Sequence, residues 1–173
     1  MSDRPVIRVE AWGKDDLPLL EKLLGDPRMM VHLGGPESHE KLIERQASYE
    51  TLVASGTGRV LKIVDEATGQ GVGGIVYWER SWDGEEVYEI GWSVIPEFQG
   101  RGIAGSAIPQ AIASARAERK HRFLHAFPSV DNAASNALCR KLGFTLMGQG
   151  DFEYPKGSFM KSNIWRLDLL SSG

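Results

Sequence analysis

Residues 96–105 read PEFQGRGIAG and follow, one residue later, the alternating apolar run VYEIGWSV of residues 87–94. The run favours a β-strand, and the residues from about Gly102 onward favour a helix. The first N–H groups of a helix have no partners and carry partial positive charge, so they bind anions that can approach closely. Gly100 and Gly102 permit that approach. The stretch therefore predicts either a plain strand-to-helix turn or a phosphate-binding loop.

A second patterned stretch, DNAASNALCRKLGF of residues 131–144, predicts a helix that begins near Asn132 and ends at Gly143. At 100° per residue, one helical row holds Asn132, Ser135, Asn136 and Cys139, and another holds Ala134, Leu138 and Leu142. The second row suits a hydrophobic core. The first row suits a polar ligand that lies along the helix, or else a solvated face behind a capping asparagine.

Composition narrows the function classes. A chain of 173 residues is long enough for one domain with a core, and we expect a single domain over residues 1–173. The formal net charge of −3 does not favour a nucleic-acid partner. No apolar stretch approaches the roughly 18 residues of a membrane span, and the first residues lack the apolar core of a signal peptide. We therefore expect a cytoplasmic protein with no membrane partner.

The cysteine and histidine content argues against a disulfide and a metal centre. Cys139 is the single cysteine, which excludes an internal disulfide. The four histidines form no HExxH pair, the spacing that is typical of many zinc enzymes. We therefore expect no bound metal.

The hydrophobic pattern predicts alternating strands and helices. We expect strands over residues 6–12, 59–65, 69–79, 86–94, 122–127, 144–150 and 163–170, and helices over 15–24, 38–55, 102–119 and 132–142. Asp15 and Ser38 are the expected caps of the first two helices, and Pro109 predicts a kink or a local widening in the third. Residues 151–158 read as a loop. The order indicates an α/β (α+β) protein with mixed strand pairing.

Together, QGRGIA (99–104) and DNAASNALCRKLGF (131–144) resemble the GNAT superfamily of acetyl-CoA-dependent N-acetyltransferases. The first is similar to its Q/R-x-x-G-x-G/A loop, and the second to its N-x-x-S…K-L-G-F helix. DPRMMVHLGGP (26–36) and EIGW (89–92) resemble the branch that contains the ribosomal-protein-alanine acetyltransferases. The resemblance implies a central mixed, mostly antiparallel twisted sheet that is flanked by helices and splayed, through a bulge, between the fourth and fifth strands.

The resemblance also implies acetyl-CoA as the cofactor. Backbone N–H groups would hold its pyrophosphate, and these belong to Gln99, Gly100, Arg101, Gly102, Ile103, Ala104 and Gly105. Its pantetheine arm would pair as an added strand with Trp92, Ser93 and Val94. Asn132 would bond to the arm, and Ser135 would lie near the sulfur.

Transfer of an acetyl group to a primary amine needs a proton acceptor, because an amine near pH 7 is mostly an ammonium ion. Glu89 lies between apolar residues of a central strand and points away from Tyr88 and Ile90. We interpret Glu89 as the base, and the alternative is a structural carboxylate. Asp151 and Glu153 are the other candidates.

The departing thiolate needs a proton, and the carbonyl oxygen needs a hydrogen-bond donor. Many superfamily members place a tyrosine acid where Cys139 stands, so the resemblance leaves Ser135 or water as the acid here. The N–H of Val94 is the candidate donor to the oxyanion. Cys139 is expected to be an inert helix residue, because no histidine partner lies near it in the sequence.

The amine acceptor is poorly specified by the sequence. Tyr77, Trp78, Trp82 and His32 line either a cleft or the core. The acceptor is a small molecule or a protein N-terminus, and the chain forms a homodimer or stays monomeric. Two further functions stay open, namely transfer from another acyl-CoA and non-catalytic acyl-CoA binding.

Overall fold

A computed structural model describes residues 4–31, 35–153 and 157–171. In these residues strands and helices alternate as β1 (Ile7–Ala11), α1 (Leu17–Leu24), α2 (His39–Ser55), β2 (Gly58–Asp65), β3 (Gly71–Trp82), β4 (Glu85–Val94), α3 (Ile103–Glu118), β5 (Phe123–Ala126), α4 (Ala133–Lys141), β6 (Thr145–Glu153) and β7 (Phe159–Asp168). Short 3₁₀ turns occupy Pro27–Met29 and Pro96–Phe98. No helix of these described segments is long and apolar enough to cross a membrane.

The strands form one sheet in the order β1-β2-β3-β4-β5-β7-β6. Neighbouring strands are antiparallel except for the parallel pair β4 and β5. The prediction of a mixed, mostly antiparallel sheet flanked by helices is confirmed. The β3–β4 hairpin turns through Asp83 and Gly84, both with positive φ (51° and 77°), as a two-residue turn of the primed type requires.

The predicted splay between β4 and β5 is confirmed, and its cause lies in β5. The two strands pair only at Tyr88–Leu124 and Glu89–His125. Beyond Ala126 the chain follows β7 instead, where Asn163 N–H donates to the Pro128 carbonyl over 2.9 Å. The expected bulge is wrong, because β4 pairs with β3 without a register shift along its whole length.

One face of the sheet packs on α3. Tyr77 and Tyr88 are fully buried there, and small helix residues such as Ala107 and Ala111 allow a close approach. The end of α3 is fixed by Glu118, which accepts hydrogen bonds from Tyr88 Oη (2.6 Å), Tyr77 Oη (3.3 Å) and Arg59 Nε (2.5 Å). This face is therefore a closed core with a polar anchor.

The other face packs on α1 beside β3. Leu19 and Leu23 of α1 lie over Gly71 and Gly74, where an added Cβ would stand 2.9 Å and 3.4 Å from their side chains. The helices cover only part of this face. The portion near the β3–β4 turn carries Glu89.

Several predicted boundaries need correction. The residue before α1 is Asp16 rather than Asp15, and its carboxylate accepts from the Gly13 N–H instead of capping the helix. Ser38 caps α2 as predicted, through the Lys41 N–H. Residues 103–118 are helical throughout, so the local widening expected at Pro109 is not found there.

The predicted loop at residues 151–158 is also wrong in its first part. The ladder of β6 and β7 continues through the pairs Asp151–Lys161 and Glu153–Phe159. Both candidate acids therefore lie on a strand, because cross-strand pairing overrides the loop-like composition of the stretch.

Candidate functional site

The glycine-rich turn before α3 leaves helical N–H groups open. Gly100 and Gly102 adopt φ values of 73° and 78°, which favour glycine. The first hydrogen bond of the helix runs from Ser106 N–H to the Gly102 carbonyl over 3.2 Å. The N–H groups of Ile103, Ala104 and Gly105 precede that bond and have the usual unpaired status of a first turn. The turn is therefore built to receive an anion.

Gln99 serves this turn through its side chain rather than its N–H. Its N–H donates to the Pro96 carbonyl over 3.2 Å, so the expected pyrophosphate contact from that group is corrected. Its side-chain Nε2 donates to the Val94 carbonyl over 2.9 Å and ties the turn to the end of β4.

Two arginines bring positive charge to the turn. Arg101 lies with its Cζ 5.0 Å from the ring centre of Phe98. A Cβ added to Gly102 would stand 2.7 Å from Nε of Arg4, so Arg4 reaches the residue that precedes α3. The turn combines open N–H groups with positive charge, which suits a phosphate.

The free edge of β4 offers backbone groups inside the splay. Ile95 N–H donates to the Val72 carbonyl of β3 over 2.8 Å. Because N–H groups alternate in direction along a strand, Trp92 and Val94 point theirs into the splay, whereas Ser93 points its own at β3. Trp92 and Val94 therefore fit the predicted pairing with an added strand, and the backbone of Ser93 does not.

Helix α4 passes beside the first turn of α3. Leu138 lies 3.5 Å from the position that a Cβ on Gly105 would take, so α4 packs against the first turn of α3. Asn132 caps α4, and its Oδ1 accepts the N–H of Ser135 over 3.1 Å. Asn132 and Ser135 therefore lie together at the N-terminal end of α4, which follows strand β5 in the chain.

The rest of the predicted polar row faces the sheet rather than a ligand. Asn136 Oδ1 accepts from Asn163 Nδ2 and from Trp165 Nε1, each over 2.8 Å. Cys139 is fully buried, and burial raises the pKa of its thiol to about 12. Cys139 stays a neutral thiol, in line with the expected inert role, and Asn136 fixes α4 on β7.

Glu89 projects from β4 on the face opposite α3, at the point where β4 and β5 separate. Its Oε1 forms an ion pair with Nη1 of Arg80 in β3. Burial raises the pKa of Glu89, and the Arg80 hydrogen bond and charge oppose that rise without cancelling it. Glu89 is thus a carboxylate whose ionised form is held in a desolvated place.

Aromatic rings surround this ion pair. The Arg80 Cζ lies 5.4 Å from the Trp82 ring and 5.3 Å from the Phe127 ring. Trp82 stacks on Phe152 with centroids 5.6 Å apart and planes at 20°. A planar guanidinium over ring faces has few orientations, so the rings restrict Arg80.

His125 is the partner of Glu89 across the β4–β5 pair. Its side chain is buried at 3% exposure, and Nδ1 has no hydrogen-bond partner among the described residues. Burial and the charges of Arg166 and Arg80 lower its pKa to about 4, so the imidazole is neutral at neutral pH. His121, four residues earlier, instead bonds Glu79 over 2.8 Å. The described residues hold no cluster of three potential metal ligands.

A cavity of about 420 Å³ opens on the same face, lined by Trp82, Asp83, Glu85, His125, Met147, Ile164 and Arg166. Trp82 therefore lines a cleft, as one of the two interpretations held. Alternation places Trp78 on this face as well, opposite Glu89 in the β3–β4 register. Tyr77 is excluded, because it is buried on the α3 face and bonded to Ser114. His32 lies outside the described residues.

The other candidate bases do not face Glu89. Phe152 contacts Trp82 and Phe127 on the Glu89 face. Its neighbours Asp151 and Glu153 alternate to the opposite face and are exposed. Sequence reasoning missed Arg80 and His125, although the Asp-Gly turn after β3 carries a signal for the register that joins Arg80 to Glu89.

Comparisons with known proteins place this arrangement in a family. Residues 7–145 match the family described as "Acetyltransferase (GNAT) domain". The match spans most of the chain, and the protein therefore belongs to the GNAT acetyltransferase family. No curated protein sequence gave a significant match.

Solved structures with the same fold include three informative relatives. The yncA protein of Salmonella typhimurium, solved with acetyl-CoA, has a TM-score of 0.78 and 23% identity over 96% of both chains. The ribosomal-protein-alanine N-acetyltransferase of Brucella melitensis has a TM-score of 0.76 and 27% identity over 93% of this chain and 99% of that one. RimL, a ribosomal L7/L12 N-terminal acetyltransferase solved with coenzyme A, has a TM-score of 0.78 and 20% identity over 94% and 93%.

Proposed function

We propose that this acetyltransferase moves an acetyl group directly from acetyl-CoA to a primary amine, with Glu89 as base and Ser135 as acid. The observation that carries the proposal is the position of Glu89. Its half-buried carboxylate lies where β4 parts from β5, at the inner end of the open strand edge that leads to the glycine-rich turn. A base at that point meets an amine that reaches the splay from the Glu89 face.

Acetyl-CoA fits the open groups of the turn and of β4. The N–H groups from Gly100 to Gly105, with Arg101 and Arg4 nearby, would hold its phosphates. Trp92 and Val94 would pair with its pantetheine arm, and the side-chain amide of Asn132 would bond to that arm. When bound, acetyl-CoA supplies the activated acetyl group. Its use by yncA and the presence of coenzyme A in RimL support the assignment.

Glu89 removes the proton that the amine must lose, directly or through a water molecule. The amine nitrogen then forms a bond to the acetyl carbon while the carbon–sulfur bond breaks. The pKa of Glu89 is raised by burial, which makes the carboxylate a better proton acceptor than an exposed one. Its Oε1 is held by Arg80, so Oε2 is the oxygen that takes the proton.

Two further groups complete the chemistry. The N–H of Val94 points into the splay and would donate to the carbonyl oxygen as negative charge develops there. Ser135 stands in the first turn of α4 and would give its hydroxyl proton to the departing thiolate, and the second proton that the nitrogen loses as the amide forms would return to the serine through water. Base and acid would thus act from opposite faces of the sheet.

The acceptor would enter from the Glu89 face through the cavity beside His125. Trp82 supplies an apolar wall, and Asp83 and Glu85 supply negative charge that attracts an ammonium group. This suits a small amine or the N-terminus of a protein. The ribosomal-protein acetyltransferases among the structural relatives support the second class.

A first experiment tests donor binding. Gly102→Glu places a carboxylate at the anion site, and Gly102→Gln matches it in size and backbone strain but not in charge. Calorimetry with acetyl-CoA should show strong binding to the parent, weaker binding to Gly102→Gln and the weakest to Gly102→Glu. Equal affinity of all three folded proteins would remove the pyrophosphate assignment.

A second experiment separates the three functions. The protein is assayed with acetyl-CoA and longer acyl-CoA donors against a panel of small amines and N-terminal peptides. Acetyl transfer to an amine supports the proposal, and preference for a longer donor supports the other acyl-CoA function. Tight donor binding without turnover of any amine in the panel supports a binding module instead.

A further inference from the structure

The pairing of Glu89 with Arg80 follows from the β3–β4 hairpin. The Asp83–Gly84 turn fixes the register, in which Arg80 lies opposite Val87 and diagonally beside Glu89 on the same face. Nη1 of Arg80 bonds Oε1 of Glu89. No described residue hydrogen-bonds Oε2, so one oxygen is held and the other is left for chemistry.

The position of Arg80 is itself restricted by two aromatic rings. Its Cζ lies 5.4 Å from the centre of Trp82 at the end of β3 and 5.3 Å from that of Phe127 beyond β5. Phe127 and Trp82 contact each other with centroids 4.9 Å apart. The guanidinium is therefore tethered from both sides of the point where β4 and β5 diverge, which a flexible surface arginine would not be.

The titratable groups that face Glu89 come from three strands. Arg80 approaches from β3, neutral His125 from β5, and Arg166 of β7 lies beyond His125. Burial raises the pKa of Glu89, and Arg80 is the charged residue that opposes this rise. Without Arg80 the desolvated carboxyl would bind its proton at higher pH, and a protonated carboxyl cannot accept one from an amine.

We propose that Arg80 is a positioning residue of the reaction, which fixes the orientation of Glu89 and keeps it ionised through a guanidinium held on Trp82 and Phe127. The inference rests on the proposed role of Glu89 as the base. Arg80 does not itself touch the reacting atoms. Its effect should therefore appear in the pH dependence of the reaction and not only in its rate.

The experiment compares kcat/KM against pH for the parent, Arg80→Met, Arg80→Lys and the control Arg59→Met. Arg80→Met should move the acidic limb of the profile to higher pH by about one unit or more, because an adjacent opposite charge is lost. Arg80→Lys keeps the charge but loses the planar fork, so its limb should stay near the parent while the plateau falls. Arg59→Met breaks an arginine–glutamate pair on the other face and should leave the limb unmoved.

A titration of the isotope-labelled Glu89 carboxyl by NMR gives a readout that needs no activity. The pH at the midpoint of this titration should rise in Arg80→Met and stay at the parental value in Arg59→Met. An unmoved midpoint and limb in Arg80→Met overturn the inference, even if the rate falls. If Arg80→Met does not fold, Arg80→Lys decides the question, because it keeps the positive charge. A shift of its acidic limb as large as the loss of a charge would cause overturns the inference equally. Full activity in Glu89→Gln would instead remove the proposed function while the NMR midpoint still decides the ionisation of Glu89.

Discussion

Glu89 of β4 and Glu118 of α3 lie on opposite faces of the sheet, and the surroundings of the two carboxylates differ. Glu118 accepts three hydrogen bonds, from Tyr88, Tyr77 and Arg59. Burial raises its pKa, but the hydrogen bonds outweigh this and leave the pKa below its usual value. Glu89 has Arg80 as its ion-pair partner, and burial leaves its pKa raised.

The difference distinguishes a structural acid from a reactive one. A carboxylate with several donors is stabilised as an anion and has little tendency to take a proton. A desolvated carboxylate with a single donor is a stronger base, and it keeps one oxygen accessible. Buried groups beside Glu89 also stay unsatisfied, such as His125 Nδ1, whereas the hydroxyls beside Glu118 are bonded. The two faces therefore divide stability and chemistry between them.

The largest expected effect is on activity at the Glu89 face. Glu89→Gln keeps the shape and the contact to Arg80 but cannot accept a proton, so kcat should fall about 10²–10⁴-fold. Donor affinity by calorimetry should stay at the parental value. The defect should shrink for amines of low pKa, which need little deprotonation. A parental kcat, under conditions where chemistry limits the rate, would make Glu89 a structural carboxylate.

The sequence predicted the local elements of the site better than the contacts between strands. The strand that ends at Val94, the glycines before α3 and the cap at Asn132 are local patterns, and local patterns are readable from one chain. Glu89 could be chosen because alternation separates it from Tyr88 and Ile90. The element order followed from the hydrophobic pattern of the whole chain, and the splay followed from the family resemblance.

The remaining parts depend on which residues meet across strands. Arg80 reaches Glu89 only through the hairpin register, which the Asp83–Gly84 turn sets. The helical period found the row with Asn136 but could not tell which row faces the sheet, since Asn163 and Trp165 of a distant strand decide that. These contacts join residues that are far apart in the sequence, so composition and hydrophobic periodicity do not predict them.

The second prediction sharpens the comparison across the splay. Ser135→Ala removes the proposed acid from the α4 side and should lower kcat by up to about 10²-fold, the low end for general acid catalysis, because water can replace it. The loss should grow as the leaving thiol becomes more basic and should not depend on the pKa of the amine. Measurement of kcat with thioester donors of graded thiol pKa checks this. A loss that follows the amine instead would assign Ser135 to the acceptor side.

The third prediction concerns stability at the α3 face. Glu118→Gln loses charge-assisted hydrogen bonds in a mostly buried place, so the free energy of unfolding should fall by about 1.5–3 kcal/mol. Urea unfolding followed by tryptophan fluorescence measures it, and kcat of the folded protein should be unchanged. Glu89→Gln is the matched control and should not lose stability, because the raised pKa means that its anion is disfavoured by folding. Similar losses in both variants would contradict the division between the faces.

The smallest expected effect is a pair of pH dependences with opposite signs. The pKa of Glu118 is lowered by folding, so its contribution to stability is present above the unfolded-state pKa and disappears as the pH falls through the folded-state pKa. The pKa of Glu89 is raised, so its contribution is present below the unfolded-state pKa and disappears as the pH rises through the folded-state pKa. Unfolding free energies of the parent and both glutamine variants, measured from acidic to neutral pH, test this. The cost of Glu118→Gln should grow with pH, whereas Glu89→Gln should become relatively more stable over the same rise. Two differences that move in the same direction would contradict the opposite pKa shifts of Glu118 and Glu89.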